Sequence, residues 1–515
     1  MLAQDSSEPL AGARAKADEP AGESLPPSVR FPLARAWRAA LALRHEEADA
    51  FATLAERKAA GLTPEVARRC REEIELLRSA GAALRDEGAN ALTLALSCSL
   101  QGWFRPIAGA AATVCRFGYW QLGDIKSFYA LTRGPADVAI GRREVLPTIF
   151  DLCIEAAIDI DRLRFPTAKR LASDALSLAE EWIGSGSAAA TLPASLLAQI
   201  AYEEGNPDHA EALLYDRLPV IAAEGNIECA IRAYGVLARI AAQRGQLSFA
   251  SMILQEAESL GERRDWPRLV AASLSERLGL ALRYGRVADA MSFAERLGHL
   301  AARHMSRDGF AQREIERHAA LARCRVALVV SPSRALVAVL RQLEFEMASR
   351  RNLYLRLQIG LHLVDALMAL GEEEEAIGTL SGALELGAMT GLCSSFIDGS
   401  ERMNQALRRF HDLDHGAEDG LREVISYVGS LLGQHRRRGT PAAGDRQSSR
   451  AKSSLSERER DILRLIGGGQ SNKGIAKSLE IAPETVKSHI KHIFVKLGAG
   501  TRAEAVSKAQ GLGLI

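Results

Sequence analysis

Aromatic residues make up only 5% of this 515-residue chain although hydrophobic residues reach 47%. The apolar side chains are therefore chiefly Ala, Leu, Ile and Val, a mixture that favours helix. The seven cysteines (Cys70, Cys98, Cys115, Cys153, Cys229, Cys324 and Cys393) are odd in number, scattered, and never spaced Cys-x-x-Cys. That pattern argues against a disulfide framework or a structural zinc site and leaves reduced, buried thiols as the expectation. Neither a basic stretch leading into a short apolar one nor an eighteen-residue apolar span is read, so the chain is expected to be cytoplasmic. A Gly-x-x-x-x-Gly-Lys-Ser/Thr phosphate loop is missing, and no nucleophile, acid–base pair or cofactor loop stands out. An enzyme is not expected, and neither is a cofactor.

Charge is nearly balanced overall, at +1, but not along the chain. Residues 435–515 hold sixteen Lys and Arg against seven Asp and Glu, a balance of +9, which leaves −8 for residues 1–434. A basic end on an acidic body fits a nucleic-acid module tethered to something else. Residues 1–30, with Pro20, Pro26 and Pro27, read as a disordered arm. From Phe31 the pattern is almost continuously helical, and it repeats. A turn residue is followed five positions on by a small residue that opens the next helix, at Gly123 with a Phe128 variant, Leu163 with Ala168, Gly205 with Ala210 and Gly245 with Ala250. Gly285 with Ala290, Val330 with Ala335 and Gly371 with Ala376 continue it, with weaker echoes at His45 with Ala50 and Asp86 with Ala91. A period near 40 over seven units indicates an α-solenoid of helix pairs. The length falls near the HEAT range, whereas the Gly-x-x-x-x-Ala signature is tetratricopeptide-like with lengthened helices, and the latter reading is preferred. The solenoid is placed at 31–386, a helical cap at 387–434 and a flexible basic linker at 435–454. The linker's arginines either add phosphate contacts or only solubilise a hinge.

Residues 455–515 read as four short helices. The first opens with a Ser456/Glu459 capping box and stops at Gly467-Gly468-Gly469. A second starts at Ser471, a third at Pro483, and a fourth at Thr501 with Glu504. Helices two and three, joined by a few residues around Ile481, form a helix-turn-helix. On the third, Val486, Ile490, Ile493 and Leu497 make a buried stripe. Glu484, Lys487, Ser488 and Lys491 occupy another side, and Thr485, His489, His492 and Lys496 a flank. Short polar and basic side chains on an exposed helix suit the base edges and phosphates of a major groove.

Leu455, Glu459, Ser471 to Lys473, Ile475, Ala476, Thr485 to Lys487, His489 and Lys496 to Gly498 together resemble the LuxR-type DNA-binding domain. The resemblance implies that the third helix enters the major groove, with Lys487, Ser488 and Lys491 facing bases. Thr485, His489, Ser471, Asn472 and Lys473 would hold the DNA backbone, and Lys496 is a further DNA-binding candidate. The fourth helix would form a homodimer contact through Ala505, Val506, Ala509 and Leu512. Three positions depart from the family pattern: Gly474 replaces a Glu, Ala482 a Ser, and Glu480 stands where Gly or a small polar residue is commoner. The segment Ala388–Gly399, with Gly391, Phe396 and Asp398, is similar to the end of the helical region in large MalT-like regulators. Their ATPase module is not read in this chain. The expected architecture is all-α, a tetratricopeptide-like α-solenoid followed by a four-helix LuxR-type helix-turn-helix domain. The implied partners are double-stranded DNA and a small-molecule effector or protein on the solenoid. The alternative is a helical scaffold whose C-terminal domain mainly dimerises.

Other clusters have plainer readings. His411 with His415, and His489 with His492, have metal-like spacing but no third ligand. Glu372 to Glu375 sit at a helix start, where acids favour the macrodipole. Trp103, Phe117, Tyr119 and Trp120 read as inter-helix core or, alternatively, the lining of a ligand groove. Lys491→Ala is expected to cost ~1–3 kcal/mol of DNA affinity and to relax specificity at one position, measured across a panel of sites. Uniform weakening on every sequence would make Lys491 a phosphate contact.

Overall fold

The structure, a computed structural model, describes residues 25–99, 105–131, 145–305, 309–413, 419–439, 455, 457–479, 481, 486, 489–490, 493–494, 497, 502–511 and 514. Every regular element among the described residues is helical. The repeat is most regular in Ile227–Gln243, Leu247–Arg263, Pro267–Arg283 and Val287–Arg303, each of 17 residues. Two such helices and two three-residue turns account for the 40-residue period, since each helix runs to about five turns.

The turn residues adopt the left-handed conformation at Asp86, Gly123, Leu163, Gly205, Gly245, Gly285 and Gly371, with φ between 58 and 79°. Each turn is a Schellman cap. Gly245 N–H donates to the carbonyl of Ala242 at 3.0 Å and Gln246 N–H to that of Ala241 at 2.8 Å, so helix-end carbonyls find partners. Five positions after each turn residue, Ala91, Phe128, Ala168, Ala210, Ala250, Ala290 and Ala376 are completely buried. At six of these seven places the side chain is a single methyl, which lets the next helix pack closely on its neighbour.

Two expected units fall out of register. In the first the left-handed residue is Leu43 and the buried residue Ala48, two positions ahead of His45 and Ala50, and Ala50 is exposed. Near Val330 the helix Gly309–Val330 runs through the expected turn, and Ala335 is exposed while Leu336 and Val337 are buried. Pro332 explains this break, because a residue that cannot continue a helix ends it without a left-handed cap.

The cap folds back onto the array. Cys393 N–H donates to the Glu203 carbonyl at 2.6 Å. The Glu203 carboxylate accepts from Tyr354 Oη at 2.7 Å and from Ser395 Oγ at 2.8 Å. Burial pushes the Glu203 pKa up, and these donors accompany a carboxyl that is 1% exposed. Asp398 accepts from Tyr202 and from Gln243 Nε2, and its carbonyl from Arg283. A second long-range tie is Arg268, which donates to Asp86 at 2.7 Å and Glu228 at 2.8 Å. Burial opposes ionisation of Glu228, but Arg268 and Arg232 outweigh it and hold its pKa below the usual carboxylate range.

Two helix boundaries and one apolar helix differ from the sequence reading. The first helix, Pro27–Leu41, begins inside the expected arm. Pro27 occupies an opening position, where its missing N–H costs nothing. Helix Asp419–Gly439 takes in His435 to Arg438, placed by sequence in the linker; cations there favour the helix C-terminus. Leu353–Leu370 is an eighteen-residue helix long and apolar enough to cross a membrane by length and composition, which the sequence reading missed. It carries Arg356 and Asp365, is 56% buried inside the protein, and packs as a core helix. Cys70, Cys115, Cys153, Cys229, Cys324 and Cys393 are free and buried.

Gly245 and Gly235 separate the two roles of glycine. A Cβ would meet nothing within 4 Å at either, but only Gly245 has positive φ. Gly245→Ala is expected to destabilise by ~1–2 kcal/mol. Gly235→Ala, inside a helix, should stabilise by ~0.5–1 kcal/mol, both read by denaturant unfolding.

Candidate nucleic-acid interface

The C-terminal residues have a core of their own. Leu455, Ile462, Leu463, Ile466, Ile475, Ala476, Val486, Ile493, Leu497, Ala505, Ala509 and Leu514 are buried together. The first helix, Glu457–Gly467, ends ahead of Gly469 at φ 77°. The second, Asn472–Leu479, is capped as expected by Ser471, whose Oγ accepts from Gly474 N–H at 3.2 Å. Because residue 474 is Gly, no carboxylate returns the bond, and only half of the capping box is present. Arg502, at the start of the fourth helix Arg502–Gly511, donates to Asn472 Oδ1 at 3.2 Å and to the Gln470 carbonyl. Arg458 donates to the Leu479 carbonyl at 2.6 Å, satisfying the other end of the second helix.

The third helix is described at 486, 489–490, 493–494 and 497. Val486, Ile493 and Leu497 are buried and Ile490 is partly so, which matches the stripe read from the sequence. Ser471 and Lys473 are exposed at the start of the second helix, Asn472 is half-buried, and His489 is 3% exposed. Thr485, Lys487, Ser488, Lys491 and Lys496 lie outside the described residues, as do Ser456, Thr501 and Leu512. Two of the residues expected at a dimer contact have a role inside the domain. Ala505 and Ala509 are completely buried in its own core, where their methyls hold the fourth helix in place. Val506 is half-buried against the same core.

One residue of the interface was not foreseen. Tyr215 belongs to the solenoid, 244 positions from Glu459, yet its hydroxyl donates to Glu459 Oε1. Its ring lies 5.5 Å from the His489 ring at 39°. Glu459 is completely buried and Tyr215 is 8% exposed. Burial and the Glu459 charge push the Tyr215 pKa far up, so the phenol keeps its proton and can donate. Pro219 is the sequence signal that could have marked the place. It lacks an N–H and crowds the carbonyl four residues back, that of Tyr215. The helix accordingly breaks into Pro207–Leu214, a 3-10 turn Tyr215–Arg217, and Leu218–Glu224.

The solenoid also forms two large, partly open cavities among the described residues. One of about 550 Å³ is mainly apolar, with Trp37, Leu76, Phe117, Trp120, Phe150 and Leu196 in its wall. Phe117 and Trp120 pack 5.9 Å apart and against Phe128 and Ile158, so this cluster is core on one side and cavity wall on the other. Trp103 lies outside the described residues. The second cavity, of about 470 Å³, is lined by eight arginines against five acidic residues. Nearby, burial opposes ionisation of Glu314, but Arg317 and Arg268 hold its pKa at about 2. Among the described residues no group of three or more metal-ligating side chains occurs, and His415 and His492 lie outside them. Glu372, Glu373 and Glu375 pair with Arg334, Arg409 and Arg341, as a solvated helix start should.

Comparison with known proteins covers both regions. Residues 130–413, more than half of the chain, match the family model described as a MalT-like TPR region. Residues 453–509 match that of bacterial regulatory proteins of the luxR family. Proteins named as candidate HTH-type transcriptional regulators in Mycobacterium bovis and Mycobacterium tuberculosis are each 38% identical over 98 residues. That is 19% of this chain and only 10% of each relative's length.

Gly474 offers a test of the cap. Its Cβ would make only ordinary contacts, at 3.5 Å from Ser471 Oγ and 3.7 Å from Gln470 Oε1. Gly474→Glu is expected to stabilise the domain by ~1 kcal/mol through helix propensity and the restored capping box, measured by denaturant unfolding of residues 455–515.

Proposed function

We propose, because the chain belongs to the MalT-like TPR family and ends in a luxR-family domain, that it is a cytoplasmic transcription regulator which reads a two-fold DNA site as a dimer and answers to a signal held by its solenoid. The observation that carries the reading is the helix-turn-helix on its own core, with Ser471 and Lys473 exposed at the N-terminus of its second helix. A helix N-terminus with exposed polar groups and a cation suits a phosphate. Lys487, Ser488 and Lys491 are assigned to base edges. Thr485, His489, Asn472 and Lys496 join Ser471 and Lys473 at the backbone.

Dimerisation on DNA is assigned to the fourth helix through Val506 and Leu512, with Ala505 and Ala509 fixing that helix from behind. The same burial weighs against a scaffold whose C-terminal domain mainly dimerises, since two of its four candidate contacts are spent internally. For the solenoid, the 550 Å³ cavity has the size of a small-molecule site and a few polar groups among apolar walls, which supports a small-molecule signal over a protein one.

A genome-wide binding selection with the full chain, at two salt concentrations, tests the reading. It is expected to enrich one two-fold motif, with affinity falling roughly a thousandfold between about 50 and 200 mM salt if some six phosphates are contacted. Failure to enrich any motif at low salt, by the full chain and by residues 439–515 alike, would overturn it.

A further inference from the structure

The contact at Tyr215 involves the helix that is assigned to DNA. His489, which the sequence places on one flank of the third helix with Thr485, His492 and Lys496, is 3% exposed, and its ring packs 5.5 Å from the ring of Tyr215. A side chain 3% exposed against protein cannot at the same time lie against a phosphate. The Tyr215–Glu459 hydrogen bond fixes the first helix of the same domain to the same point, so two of the domain's helices are held by one solenoid residue. The phenol donates to a carboxylate, which makes this a charge-assisted bond in a buried setting, the stronger kind.

The solenoid is shaped for this contact. Where four other units carry unbroken second helices of 17 or 18 residues, this one is interrupted after Leu214. Arg217 donates to the Leu213 carbonyl at 3.0 Å and to Glu180 at 2.6 Å. Arg264 donates to the carbonyls of Ala222 and Ala223. Carbonyls around the break are thus satisfied by side chains, and the break is a fixed feature that sets Tyr215 at a corner. Fifteen residues, 440–454, separate helix Asp419–Gly439 from Leu455. As a chain of that length they reach at most about 50 Å, and the same molecule supplies both sides of the contact.

We propose that the solenoid corner at Tyr215 is a docking surface for this chain's own DNA-binding domain, and that the solenoid and DNA compete for the His489 flank of the third helix. The proposal rests on the DNA-binding reading for its second half only. In the docked state the domain cannot place its backbone-holding flank on a phosphate, so DNA binding first has to break the Tyr215 contacts.

Hydrogen exchange on the full chain tests docking without DNA. Tyr215→Ala is expected to raise exchange across 486–497 while leaving 227–303 unchanged, and Tyr215→Phe, which keeps the ring and loses only the hydroxyl, to raise it less. Equal exchange at 486–497 in wild type and both variants would overturn the docking, as would protection that rises with protein concentration, which would place the contact between copies. Affinity for the selected DNA site tests competition. Tyr215→Ala should bind about tenfold tighter or more, the equivalent of losing one hydrogen bond to a charged group from the docked state, and DNA should raise wild-type exchange at 215–224. Unchanged or weaker DNA binding by a Tyr215→Ala protein that unfolds like wild type would overturn the competition. If no form binds DNA, the proposed function fails while the exchange experiment still decides the docking.

Discussion

The rest of the molecule depends on a steric requirement met every 40 residues, that a helix must reverse direction within three residues and the next must lie almost in contact with it. A left-handed residue ends the first helix, and five positions later a side chain with nothing beyond Cβ allows the approach. Where the left-handed residue is Asp86 or Leu163 and not glycine, the conformation carries a Cβ clash of ~1–2 kcal/mol that the surrounding packing has to offset. Leu163 does so by being buried, and Asp86 by holding Arg268. Phe128, the one large residue at the small position, is completely buried beneath the Arg116 guanidinium, 4.1 Å from its ring centroid, and follows a helix of 18 residues with a much shorter one, Ile125–Ala130.

A stack of such hairpins has no reason to close, and side chains far apart in sequence supply the closure here. Glu203 and Asp398 bring the cap onto the inner helices, and Arg268 joins the N-terminal hairpins to the middle of the array. These groups are costly to bury singly, and each becomes acceptable only with its partners in place. Closure of this kind is also what forms cavities, because hairpins held to one another across the superhelix leave space between walls that their own packing does not fill. The apolar cavity lies between N-terminal helices, 27–122, and helices 145–243, so its walls come from both sides of the point where the MalT-like match begins.

Local constraints were legible in the sequence, and contacts between distant residues were not. Gly205, Gly245 and Gly285 with their alanines announce the repeat because each acts within five residues. The Val486, Ile490, Ile493 and Leu497 stripe announces the third helix for the same reason. His45 and Val330 mislead because spacing alone does not say which residue ends a helix; Leu43 does so in one case and Pro332 in the other. Ala505 and Ala509 could be placed on the fourth helix, but a methyl on an amphipathic helix serves an inner core as readily as a partner, and only the fold decides between them. Tyr215 carried no periodic signal at all, since its role comes from a residue 244 positions away.

That last case also shows how a helical array can acquire a second purpose without losing its first. Pro219 removes one backbone hydrogen bond and displaces one carbonyl, a loss of ~3 kcal/mol or more in an uninterrupted helix. Arg217 and Arg264 return partners to carbonyls around the break, and Leu218 and Ile221 remain buried, so the unit keeps its place in the stack. The segment beyond the break, Leu218–Glu224, is only seven residues long and so has few internal hydrogen bonds of its own. Short segments with few bonds occupy the low-stability end of a protein's local unfolding spectrum. Immediately beyond that segment, Asn226, Ile227 and Glu228 enter the wall of the apolar cavity. Tyr215 and that stretch of the cavity wall are thus joined through a single short segment of the solenoid.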